Sequence, residues 1–118
     1  MASLNRVELI GKLADDPEIR YTPEGKTVAS FVIDVENEQL VNFDYIKNIT
    51  NVFPIKAWGE LGMLCTEYLH KGNPIYLEGY LITTKTEQRT TFHDEEFGDY
   101  HEDEINYFFH VVAKKLNF

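Results

Sequence analysis

Residues 5–14 alternate, with Val7, Leu9, Gly11 and Leu13 on one side of the chain and Glu8, Ile10 and Lys12 on the other. A period of two marks a strand with one buried face. Asp15-Asp16-Pro17 interrupts it, and Thr22-Pro23-Glu24-Gly25-Lys26 carries the Pro and Gly chemistry of a turn. Alternation resumes over residues 27–36, with Ala29, Phe31, Ile33 and Val35 inward. Residues 38–50 are polar and read as a loop, although they carry Leu40, Phe43 and Tyr45. A third strand follows over 51–58: Phe53, Ile55 and Ala57 share one face, and Val52, Pro54, Lys56 and Trp58 the other. Pro54 cannot donate to a ladder, so this strand is expected to keep a partly free edge.

The period then changes. Leu61, Leu64, Cys65, Tyr68 and Leu69 recur at helical spacing, and Lys71-Gly72 closes the run as a C-terminal glycine signal. Residues 74–86 form a long alternating strand with Ile75, Leu77, Gly79 and Leu81 on one side. Gly79 marks a bend or bulge, which a strand wrapping a small barrel requires. Residues 90–104 read as an acidic excursion from the sheet, and 105–114 as the last strand. The whole is expected to be a single domain over residues 1–118. Three strands, a short helix and two strands describe an all-β fold: a five-stranded OB-fold barrel with one short helix between strands 3 and 4. Such barrels host many activities, so the fold alone does not name a function.

Composition adds bounds. A chain of 118 residues has room for one core. Cys65 is the only cysteine and cannot form an internal disulfide. The first residues show no signal-peptide pattern, and no apolar run approaches the roughly 20 residues of a membrane helix. A soluble, cytoplasmic protein is expected. The charge complicates the picture, with eleven Lys and Arg against twenty Asp and Glu, a net −9 at pH 7. A nucleic-acid binder ordinarily shows a basic balance. Seven of those acids (Asp94, Glu95, Glu96, Asp99, Glu102, Asp103 and Glu104) lie in one stretch without a Lys or Arg, and setting them aside takes −9 to −2. The body of the chain is near neutral.

Six stretches, in order, resemble the bacterial and phage single-stranded DNA-binding protein family. They are Leu4-Asn5-Arg6-Val7-Glu8-Leu9-Ile10-Gly11, Asp16-Pro17-Glu18-Ile19-Arg20-Tyr21, Gly25-Lys26-Thr27-Val28-Ala29-Ser30-Phe31, Ala57-Trp58-Gly59-Glu60-Leu61, Glu67-Tyr68-Leu69-His70-Lys71-Gly72 and Ile75-Tyr76-Leu77-Glu78-Gly79-Tyr80-Leu81. The resemblance runs from about Leu4 to Lys85. It implies sequence-independent binding of single-stranded DNA during replication, recombination or repair, assembly as a homodimer or homotetramer, and replication or recombination proteins as partners. The departures are specific. Only Trp58 keeps an aromatic station of the family; the stations near Gln39, Val52 and Thr86 have lost theirs. Ile82 and Thr84 stand where the family favours Arg or Lys, Glu60 replaces a usual Lys, and the region after Lys85 is acidic. The sequence ends at Lys114-Lys115-Leu116-Asn117-Phe118, where the family continues into a polar tail with an acidic tip. This fits a divergent, phage-encoded member or a chain cut short of its tail.

Holding a single strand takes cations along the phosphates and flat side chains under the bases. Trp58 shares its outward face with Lys56 and is the first candidate for stacking; the competing reading is a subunit anchor, since Trp is enriched at interfaces. Phe43 and Tyr45 either close over a base or fold back on the barrel. Tyr80 lies outward on the fourth strand with Tyr76 and Ile82, Tyr76 reading rather as an interface residue. Arg6, Arg20, Lys56, Lys71 and Lys85 are the cations expected on phosphates, each with a solvated surface charge as its alternative. Lys12 and Lys26 are weaker candidates.

His93 and His101 lie among the carboxylates, but without metal-ligand spacing they read as a solvated hairpin tip, and no metal or cofactor is expected. His70 is placed to favour a helix C-terminus. Asn48-Ile49-Thr50 matches a glycosylation acceptor but lacks a secretory context. No phosphate-binding glycine loop, nucleophile elbow or catalytic triad pattern is present, so the chain does not read as an enzyme. The alternative to DNA binding is a protein-interaction module of the primosome-accessory type on the same barrel, with weak DNA binding.

Overall fold

The computed structural model describes residues 2–42 and 45–118. In chain order it contains β1 (Val7–Leu13), β2 (Glu18–Tyr21), β3 (Thr27–Asn42), β4 (Tyr45–Trp58), α1 (Gly59–Tyr68), β5 (Pro74–Asp94) and β6 (Gly98–Asn117). The sheet order is β1-β5-β6-β4-β3-β2, and a further β1–β3 pairing closes it. Five long strands make the barrel, with α1 between the third and fourth of them, as the hydrophobic pattern predicts. The short β2 is an addition: Glu18–Tyr21 pairs antiparallel with residues 27–30 of β3.

Two seams complete the closure, each two residues long. β1 meets β3 at Lys12↔Asp34 and Leu13↔Ile33, and β4 meets β6 in parallel at Ile55↔Val111 and Lys56↔Val112. On its β6 side, β4 has no ladder partner before Ile55 among the described residues, which agrees with Pro54 on a partly open edge. Inside the barrel lie Leu13, Ala29, Phe31, Ile33, Ile55, Ala57, Ile75, Leu77, Val111 and Ala113, every one at an alternating inward position. α1 plugs one end with Cys65, joined by Leu69 just past the helix, both fully buried. Burial pushes the Cys65 thiol up to about 11, so it packs as a small apolar group rather than a nucleophile.

Gly79 stands where the β5–β6 register shifts. A Cβ there would run into the Val112 carbonyl, so the bulge requires glycine.

Three expectations need correcting. Residues 38–42 and 45–50 are strand rather than loop: β3 and β4 continue as a paired ribbon, Glu36↔Thr50 through Leu40↔Ile46 and Asn42↔Tyr45. Residues 90–104 do not leave the sheet either, because β5 and β6 stay paired out to Asp94↔Gly98. Alternation misses both ribbons because neither face is buried, so apolar residues such as Leu40, Ile46, Ile105 and Phe108 stand exposed among polar ones with no period imposed. Leu64 and Tyr68 share the helical spacing of Cys65 yet are exposed, since α1 packs on the barrel by a narrow stripe. The two ribbons make the molecule long. Its radius of gyration is 19.5 Å, against about 13 Å for a compact chain of about 100 residues.

Candidate nucleic-acid interface

The outer face of the β2–β3–β4 side collects several of the candidate residues. Side chains directly opposite across a ladder share a face, so Arg20↔Val28↔Trp58 forms one cross-strand row. Glu18↔Ser30↔Lys56↔Val112↔Tyr80 forms the next, running from β2 to β5. Two residues along a strand separate the rows by about 7 Å, and each step between strands is about 4.8 Å. Trp58, Lys56, Arg20 and Tyr80 therefore lie on one continuous patch.

Trp58 is 41% exposed. It ends β4 with extended backbone, and Gly59 follows at φ 64°, a left-handed conformation that turns the chain straight into α1. The indole borders an open hollow of about 500 Å³ formed with Gly25, Lys26, Thr27, Gly59, Glu60 and Met63. One wall is the β2–β3 turn, held by the Thr22 and Lys26 backbones at 2.8 Å and by the Thr22 hydroxyl accepting from Lys26 N–H at 3.0 Å. The other wall is the first turn of α1. An aromatic face, a lysine and open space thus meet at one end of the barrel.

The cations divide by their neighbours. Lys56, Lys26 and Lys71 have no carboxylate within ion-pair distance among the described residues, whereas Arg20 pairs with Glu18 at 3.2 Å and Lys85 with Glu87 at 3.0 Å. Arg6 is held by Glu8 at 2.5 Å and Glu78 at 3.3 Å, which raises its already high pKa, the Glu8 hydrogen bond contributing most. Arg6 is therefore committed to carboxylates on the β1–β5 side. Lys71 sits in the turn after α1, where its backbone N–H donates to Asp16 at 2.7 Å. Lys71-Gly72 closes that turn against Leu13 rather than capping the helix, which already ends at Tyr68. His70 is likewise beyond the helix, with Nδ1 3.9 Å from Asp16.

Tyr45 and Lys85 are not brought together with Trp58. Tyr45 is exposed at the far end of β4, thirteen residues away, or about 43 Å along an extended strand. Phe43 lies outside the described residues. Lys85 is on the β5–β6 ribbon, opposite Tyr107. Tyr80 is partly buried, with Lys114 Nζ 5.6 Å from its ring centre. Tyr76, next to Glu8 and Glu78, has its hydroxyl pKa raised by desolvation first and by those carboxylates second.

One contributor was underrated by the sequence reading and one escaped it. Lys26 faces the Trp58 hollow, though the turn alone suggested only a weak cation. His110, on β6 opposite Ile82, reaches the same outer face as Lys56. Its signal was parity: His110 and Val112 alternate with the inward Val111 and Ala113.

Comparisons with known proteins bear on the family and the fold. The profile of the Single-strand binding protein family matches residues 4–98. "Single-stranded DNA-binding protein 1" of Chlorobaculum tepidum is 36% identical over 88 residues, covering 75% of this chain and 54% of that protein. The "Single-stranded DNA-binding protein" of Treponema pallidum is 33% identical over 88 residues, covering 75% of this chain and 49% of that one. The chain thus spans about half the length of these relatives. A solved structure, "Plasmodium falciparum SSB complex with ssDNA", superposes with a TM-score of 0.75 at 22% identity, over all of this chain and 96% of that one. That likeness confirms the OB-fold barrel. With the profile covering most of the barrel and both relatives above 30% identity, the chain belongs to the single-strand binding protein family.

Proposed function

We propose that this protein binds single-stranded DNA without sequence preference and holds unwound strands during replication and recombination. One observation carries the reading: Trp58 stands exposed at the barrel surface with Lys26, Lys56 and Arg20 around it. A base stacked on the indole and phosphates on the flanking cations form a platform that reads no base edge, so it tolerates any sequence. The names of the relatives support the same reading. Binding needs no covalent step, and the role is non-catalytic.

The working form is a homodimer or homotetramer in a bacterial cytoplasm, including that of a phage-infected host. Ile10, 72% exposed beside Tyr76 on the outer face of β1 and β5, supports pairing on that side. No helix among the described residues is long and apolar enough to cross a membrane.

Titrating the protein with labelled single-stranded and duplex oligonucleotides of one length tests the proposal. Single strands should bind more tightly, with little dependence on sequence and with quenching of Trp58 fluorescence. Equal affinity for the duplex removes the proposal. No binding of either would favour the protein-interaction module.

A further inference from the structure

Next to the Trp58 row, the outer face holds a second hollow of about 290 Å³, lined by Asp15, Asp16, Glu18, Lys56 and His110 over an apolar floor that includes Pro54 and Val32. Lys56 comes from β4 and His110 from β6; the β4–β6 seam pairs Lys56 with Val112, which sets His110 diagonally across from it on the same face and around the same hollow. The three carboxylates form the opposite wall, and each accepts a hydrogen bond, Glu18 from a cation and the two aspartates from backbone N–H groups. Asp15 Oδ1 accepts from Asp16 N–H at 2.9 Å, Asp16 Oδ1 accepts from Lys71 N–H at 2.7 Å, and Glu18 pairs with Arg20 at 3.2 Å. No carboxylate lies within ion-pair distance of Lys56 or His110 among the described residues. From β5 the neighbour of His110 is Ile82, which is uncharged, and Lys114 is engaged over the Tyr80 ring. Lys56 thus sits one row along from the stacking site and His110 two, neither with a carboxylate of its own.

Resting on the proposed DNA binding, we infer that this hollow is a subsite on the strand's path in which Lys56 and His110 together hold one phosphodiester. In the free protein the imidazole is kept below its ordinary pKa, by burial first and by Lys56 second. A phosphate between the two groups reverses the balance, because the protonated ring then faces an anion. The bound pKa lies above the free one, so binding takes up a proton in the window between them. Affinity rises as pH falls through the bound value and levels off below the free value. An upward shift of one pH unit corresponds to about tenfold tighter binding.

The test uses an oligothymidylate, whose bases do not titrate near neutrality. Its affinity is measured between about pH 8.5 and about pH 5.5, the range around an ordinary histidine, for wild type, His110→Gln and a His93→Gln/His101→Gln control. Wild type and control should tighten several-fold as pH falls, while His110→Gln should bind like wild type near pH 8 and lose the rise. Imidazole NMR should show the His110 titration midpoint moving up on adding oligonucleotide and not on adding inorganic phosphate at the same concentration. If His110→Gln keeps the wild-type slope, or free phosphate shifts the midpoint equally, the subsite is wrong although DNA binding stands. If no single strand binds at any pH, the proposed function falls and takes the subsite with it.

Discussion

The two halves of β5 show what different forces hold one strand. Residues 74–80 alternate between the barrel interior and its surface, with Ile75 and Leu77 shut away from water. From residue 81 onward every side chain is exposed, although pairing with β6 continues without a break to Asp94↔Gly98. The first half is held by apolar burial, at about 1.5–3 kcal/mol for each large side chain. The second is held by pairs across the ribbon. On one face Arg89 meets Asp103 at 2.9 Å, Thr91 meets His101 at 2.9 Å and His93 meets Asp99 at 2.6 Å. On the other, the Phe92 and Tyr100 rings stack with centroids 5.2 Å apart. The turn is tied by Asp94 Oδ1, which accepts from Glu96 N–H at 2.7 Å and Phe97 N–H at 2.9 Å. A cross-strand pair contributes only about 0.2–1 kcal/mol, and a lone two-stranded ribbon is marginal in water. The ribbon therefore persists because the barrel supplies its base.

Substitutions that separate the halves should differ most in stability. Leu77→Ala opens a cavity in the barrel centre and should cost about 2–5 kcal/mol. Tyr107→Ala, on the ribbon, removes a largely solvated ring and should stay within about 0.5 kcal/mol. Urea unfolding of both variants checks the contrast, and equal losses would mean that the ribbon packs against something after all. Binding should follow the barrel as well. Trp58→Ala should cost on the order of 1–3 kcal/mol of single-strand affinity while leaving the assembly mass unchanged by light scattering. A dissociated mutant, with no fluorescence quenching in the wild type, would instead make Trp58 a subunit anchor.

The smallest effect belongs to the ribbon's charge. Replacing the seven carboxylates of residues 94–104 by their amides should tighten DNA binding at low salt. The gain should fade once the screening length falls to about 10 Å, near 0.1 M. Affinity that is unchanged at every salt concentration would place the ribbon away from the strand's path.

The barrel was readable in the sequence because burial writes a period of two: Ala29, Phe31, Ile33 and Ile55, Ala57 all point where alternation puts them. The ribbons were not, since Glu36 to Leu40 and Ile82 to Asp94 have no buried face to impose a pattern. β2 was too short to show one, four residues with Ile19 facing Ala29. At the site, the outward turn of Lys56 and Trp58 followed directly from the inward Ile55 and Ala57. What alternation cannot supply is which outward residues become neighbours across strands. Arg20 beside Trp58, and His110 beside Lys56, depend on registers set by long-range pairing. For the same reason Tyr45 seemed available to the stacking site, whereas the register carries it to the opposite end of β4.

The two short seams also govern the order of events when the chain folds. The β3–β4 and β5–β6 ladders join strands that follow each other directly or nearly so in the chain, so each pair can be extended one residue at a time from its near end. Joining Ile55 to Val111, or Leu13 to Ile33, requires stretches of chain to be ordered before any reward arrives. Barrel closure is therefore expected to be the late, rate-setting event. Until it occurs, Lys56 and His110 are not neighbours, and β4 and β6 expose unpaired edges to other chains.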